Sequence, residues 1–162
     1  MFSWRQLLGY RAGAGAAAAK DTVNSNVRLL AITANDRFYS TLVDIGSSCG
    51  WEVRRAGSIQ EGMGLIRSHS APLVVLDWDE DANDWRDGLR RVCAAHEQVC
   101  VLLASRVVDD NLREEVLRFH GYDVLPKNAD REQIVRAVQF AWFWITRSTA
   151  LTDRAMKKES QH

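Results

Sequence analysis

The run Leu73-Val74-Val75-Leu76 ends on Asp77, with Pro72 before it and Trp78-Asp79-Glu80-Asp81 after it. A run of this length, apolar at every position, fits a strand covered on both faces, which is the central strand of a parallel sheet. In open sheets of that kind the functional crevice lies outside the carboxyl ends of the strands. A carboxylate at this end is placed for chemistry, and the reading of function turns on Asp77 and its neighbours.

The rest of the chain supplies the alternation such a sheet needs. Val27–Thr33 is strand-like, and Phe38, Leu42, Ile45 and Cys49 follow at helical spacing until Gly50 stops them. Trp51–Arg55 reads as a short strand, then Ile59, Met63 and Ile66 share one helical face. Beyond Asp77 come a helix with Trp85, Leu89 and Val92 and a strand over Val99–Ser105. Asp109 is placed to cap a helix with Leu112, Val116 and Phe119 inward and Gly121 closing it. A last strand, Tyr122–Leu125, leads through Pro126-Lys127 to a long helix bearing Ile134, Val138, Ala141 and Ile145. Five strands alternating with five helices predict an α/β fold with right-handed crossovers and helices on both faces of a mostly parallel sheet.

The 162 residues suit one covered core, not two. The Ala/Gly tract Ala12–Ala19 and the polar stretch after it mark residues 1–26 as an arm or linker. Residues 27–147 form the domain, and the polar end, 148–162, is expected to be a frayed tail. Basic and acidic residues balance at 21 each, so no global field recruits nucleic acid or an anionic membrane. No stretch has the apolar length of a membrane span. Cys49, Cys93 and Cys100 are scattered among apolar residues, which fits reduced thiols and a cytoplasmic location. His69, His96 and His120 lack metal-ligand spacing and are expected at the surface or at helix ends.

Three polar residues fall at or just past the ends of successive strands: Asp77, Ser105 and Lys127. Converging on one rim, a carboxylate, a hydroxyl and an ammonium have the makings of phosphoryl transfer. With Leu76-Asp77-Trp78, Gly121-Tyr122 and the spacing from Ser105 to Lys127, the chain resembles the receiver domain of two-component response regulators from Val27 to about Ile145. The resemblance implies a flavodoxin-like, doubly wound fold with strand order 2-1-3-4-5. It also implies Asp77 as phosphoacceptor, Lys127 as counter-charge and Ser105 as hydrogen-bond partner. Further implications are signalling without enzymatic turnover, a sensor histidine kinase or other signalling protein as partner, and Mg2+ beside Asp77.

The chain departs from the receiver pattern at several positions. The acidic pair that receivers carry after the first strand is replaced by Thr33 and Ala34, while Asn35 and Asp36 stand one or two residues too far along. A hard divalent ion needs oxygen ligands and charge compensation. The expectation is therefore a weak or absent Mg2+ site with Asp77 as its main ligand, supplemented at most by Asp36, or from the other side by Asp79 or Glu80. Phosphorylation is then expected to be weak or absent. Proline precedes Lys127, where receivers have it after the lysine. Val124 stands where receivers have an aromatic switch residue. A second family shares one motif: Asp77-Trp78-Asp79 resembles the Asp-x-Asp nucleophile of haloacid-dehalogenase-like phosphohydrolases, in which the second aspartate is the general acid. Against that alternative, the motif here follows the third strand instead of the first.

On the last helix, Phe140, Trp142, Phe143 and Trp144 surround the inward line, more apolar surface than one helix buries in its own domain. The N-terminal segment with Phe2, Trp4, Leu7 and Leu8 is one candidate cover. A second copy is the other, and because receivers dimerise through this region the resemblance favours a homodimer on Phe140, Phe143 and Trp144.

Overall fold

A computed structural model describes residues 26–69, 73–78 and 84–160. Five strands, β1 (Arg28–Ile32), β2 (Glu52–Ala56), β3 (Leu73–Asp77), β4 (Cys100–Ser105) and β5 (Asp123–Pro126), alternate with five helices. These are α1 (Asp36–Cys49), α2 (Ile59–His69), α3 (Trp85–Ala95), α4 (Asp110–Arg118) and α5 (Arg131–Glu159). All strand pairs are parallel and the order is β2-β1-β3-β4-β5, as the resemblance implied. The order reverses between β1 and β3, which opens a crevice at their carboxyl ends.

Side chains alternate across the strands, so the sheet has two cores. One face presents Leu29, Ala31, Leu73, Val75, Leu102 and Leu125 to Phe38 and Leu42 of α1 and to Ile134, Val138, Ala141 and Ile145 of α5. The other presents Leu30, Ile32, Val74, Leu76, Val101 and Leu103 to Ile66 of α2, Trp85, Leu89 and Val92 of α3 and Val116 of α4. Both faces of β3 and β4 are covered, which is why their sequences are apolar at successive positions. β2 is an edge strand, and its exposed positions carry Glu52 and Arg54.

The helix starts follow their side chains. Asn35, Asp84, Asp109 and Asp130 each accept a hydrogen bond from a first-turn backbone N–H, and Asp130 completes a capping box with Gln133. Gly50 ends α1 in the left-handed region, as its position suggested. The end of α4 differs from expectation. His120, not Gly121, takes the left-handed conformation (φ 69°), while the Gly121 N–H bonds the carbonyl of Val116 at 2.8 Å. Gly121 is needed for closeness instead, because a Cβ there would lie 2.5 Å from Val116 Cγ1.

The C-terminal end also departs from expectation. Residues from 148 onward are largely exposed, yet they continue α5 as helix to Glu159. No Gly or Pro interrupts them, and Ala150, Leu151, Arg154, Ala155, Met156, Lys157 and Lys158 are good helix formers, with the two lysines suited to the last turn. Polarity here marks exposure and not fraying, since an exposed segment of good helix formers can continue a helix. The expected arm over residues 1–26 lies, except for Asn26, outside the described residues, as do Asp79, Glu80 and Asp81.

Candidate functional site

β3 brings Asp77 to the carboxyl edge of the sheet, between the ends of β1 and β4. Its carboxylate is buried, with 5% of the side chain exposed, and both oxygens are engaged. Lys127, carried just past β5, forms an ion pair with Oδ1, and its own side chain is only 8% exposed. The Thr33 hydroxyl donates to Oδ2 at 2.6 Å. Beyond the ion pair, neither Asp77 Oδ1 nor Lys127 Nζ has a hydrogen-bond partner among the described residues. Burial strengthens the pair's attraction but removes both charges from water, so the two groups depend on each other.

The backbone holds this geometry in place. The N–H of Thr33 bonds the Ala56 carbonyl, that of Trp78 bonds Ala104, and that of Lys127 bonds Ser105 at 2.9 Å. Each strand end is thereby tied to its neighbour one step past the ladder, and the three side chains project from a rigid rim. Thr33 Oγ1 also accepts the N–H of Asn35 at 3.0 Å. Phe38 lies under the site, with the Lys127 ammonium 6.0 Å from its ring centroid.

Of the residues singled out from sequence, Asp77 and Lys127 meet. Ser105 stands at the end of the adjacent strand, but its hydroxyl is turned into its own loop, donating to the Val107 carbonyl at 2.8 Å and accepting from the Val107 N–H. Asp36 faces solvent and pairs with Arg55 at 2.7 Å, with 90% of its side chain exposed. Thr33, treated in the sequence only as a missing carboxylate, proves to be a direct partner of Asp77. The available signal was a polar residue closing the apolar run Leu29-Leu30-Ala31-Ile32, buried to 3% exposure.

Trp78 leaves the site against Trp85 (centroids 6.2 Å apart), and Trp85 meets Phe119 edge-on at 6.0 Å. Arg86 lies over Trp85 and ties α3 to α4 through Glu115 at 2.5 Å. Two open clefts of about 450 and 500 Å³ lie far from Asp77, where α5 passes the amino ends of the strands; Cys100 and Tyr122 line one, Arg28 and Trp142 the other. No set of three His, Cys, Asp or Glu among the described residues is grouped to hold a metal ion.

No protein-family model matches the chain, and no curated protein matches its sequence. Solved structures do match its fold. Chemotaxis protein CheY4 of Vibrio cholerae superposes with a TM-score of 0.64 at 13% identity, covering 71% of this chain and 98% of that one. A response regulator from Thermotoga maritima gives 0.66 at 17% identity, covering 72% and 97%. NtrX of Brucella abortus gives 0.70 at 19% identity, covering 78% of this chain and 29% of that longer protein. The chain therefore has the fold of response-regulator receiver domains.

Proposed function

We propose that the chain is a receiver-like module of phosphorelay signalling that acts by contact with another protein. The observation that carries this reading is the buried Asp77–Lys127 pair at the carboxyl edge of a parallel sheet of order β2-β1-β3-β4-β5. A carboxylate and an ammonium at this edge suit phosphoryl transfer, with Asp77 as acceptor and Lys127 as counter-charge. Ser105 belongs to the same rim and reaches an incoming phosphoryl group only by releasing Val107.

With Thr33 and Ala34 where receivers have acids, and Asp36 drawn to Arg55, the described donor set does not fit a hard divalent cation. Without such an ion the charge that develops during transfer is poorly offset. Phosphorylation of Asp77 is weak or absent in this reading, and the module works chiefly as a binding surface. The experiment is incubation with a small phosphodonor and Mg2+, followed by intact mass, with Asp77→Asn as control. Little or no adduct is expected. Stoichiometric phosphorylation that Asp77→Asn abolishes overturns the degenerate site and leaves an active receiver.

The partner is a sensor histidine kinase or another signalling protein, and a second copy is met through α5. Phe140, Phe143 and Trp144 are 52%, 58% and 50% exposed, a large apolar patch for one helix. Among the described residues no helix is long and apolar enough to cross a membrane. The free thiols of Cys49, Cys93 and Cys100 support a reducing, cytoplasmic setting. The phosphohydrolase alternative has less support. Its Asp77 ends β3, the third strand of a receiver-type sheet, and Asp79 lies outside the described residues.

A further inference from the structure

We infer that Thr33 and Lys127 together satisfy the resting Asp77, the ammonium balancing its charge and the hydroxyl filling its second oxygen, so that among the described residues the site holds together without a divalent cation and does not take one up. This rests on the receiver-like reading of Asp77 and adds to it the residue that decides the site's metal dependence.

The hydrogen bonds fix the direction of the hydroxyl. Because the Asn35 N–H already points at Thr33 Oγ1, the hydroxyl proton is left to point at Asp77 Oδ2, 2.6 Å away. A buried carboxylate needs its charge balanced and its lone pairs filled. Lys127 supplies the charge at Oδ1 and Thr33 the donor at Oδ2. A cation approaching Oδ2 meets a neutral hydroxyl whose proton already occupies that oxygen, and no second negative charge to offset its own.

The residues after β1 are committed elsewhere. Ala34 has no side-chain oxygen, Asn35 Oδ1 accepts the Phe38 N–H at 3.0 Å to cap α1, and Asp36 is paired with Arg55. Freeing Asn35 costs a helix cap, and freeing Asp36 costs its ion pair with Arg55.

The test is calorimetric titration with MgCl2 and thermal melting with and without MgCl2, at matched ionic strength, on the full chain. Wild type is expected to show no saturable uptake through the millimolar range and an unchanged Tm. The double variant Thr33→Asp with Ala34→Asp is expected to bind Mg2+ and to melt higher in its presence. If it folds only in Mg2+, that also supports the inference. Saturable binding by wild type that Asp77→Asn abolishes overturns it, as does a folded double variant that takes up no Mg2+. Should the double variant fold in neither buffer, Thr33→Ser and Thr33→Val decide. Serine keeps the donor and loses only a methyl, so it melts above the isosteric valine variant, which lacks the donor, and neither responds to Mg2+; equal melting of the two sinks the idea. None of these readouts involves a kinase or a partner, so they are unmoved if the signalling reading fails.

Discussion

Thr33 Oγ1 and Asp77 Oδ2 are 2.6 Å apart, a hydrogen bond joining the ends of adjacent strands across 44 positions of sequence. With Lys127 on the other oxygen, the ends of β1, β3 and β5 are cross-linked through one carboxylate. Asp77 is a structural tie between these strands, and the stability of this edge is measurable.

Removing one member of the buried pair leaves the other charged and alone. Lys127→Met is expected to cost about 3–5 kcal/mol, whereas the double change Asp77→Leu with Lys127→Met recovers most of that loss. Urea unfolding of the single and double variants checks this. Additive losses would mean that the two side chains do not depend on each other.

Two glycines of α2 separate propensity from packing. Gly64 has open space where a Cβ would go, so Gly64→Ala should stabilise by about 1 kcal/mol through helix propensity. At Gly62 a Cβ would lie 2.4 Å from Ile32 Cδ1 and 2.8 Å from its Cγ1. Gly62→Ala is therefore expected to lose about 1–3 kcal/mol to overpacking, set against the same propensity gain. Denaturant midpoints of opposite sign are the expected result.

His120 holds a left-handed conformation that favours glycine. His120→Gly removes that local cost and is expected to raise stability by up to about 1 kcal/mol. An unchanged or lower midpoint would show that the imidazole makes a compensating contact.

Burial pushes the Cys100 thiol up to about 12, helped by the neighbouring Cys93, and burial pushes Cys93 up to about 11. Both stay protonated at neutral pH in the fold, so they should react slowly with alkylating reagents until the protein unfolds. In the unfolded chain a thiol titrates near ~8.5. The stabilisation from burying these thiols neutral is fully present below that pH and is lost as pH rises through 11 to 12. Urea midpoints should fall above about pH 9, and Cys100→Ala should flatten part of the decline.

Trp144 is half-exposed and touches Tyr122 at a centroid distance of 6.5 Å. Light scattering is expected to give a dimer for wild type and a monomer for Trp144→Asp, with little change in monomer stability. A wild type that stays monomeric at high concentration removes the α5 interface.

Much of the fold was legible because a doubly wound sheet writes itself into the chain. The covered strands β3 and β4 are apolar at successive positions, the helices repeat at their own period, and Asp109 and Gly50 mark helix ends by local chemistry. The positions of Asp77 and Lys127 followed from strand ends alone. Gly121 follows α4 and bonds back to Val116 as a helix-closing residue does, but the left-handed conformation falls on His120, and what requires a glycine at 121 is the close approach of Val116. The frayed tail expected after Arg147 is instead helix to Glu159, because an exposed helix and a frayed end share a polar composition.

The period and succession of the elements, and most of their starts, are local properties, since they depend on propensity and on neighbours a few residues away. Which polar atoms meet emerges only in the folded chain: the Thr33 hydroxyl turns to Asp77, Ser105 turns to Val107, and Asp36 goes to Arg55. A hydrogen bond is directional over a fraction of an ångström, and its partners come from distant stretches brought together only when the sheet closes.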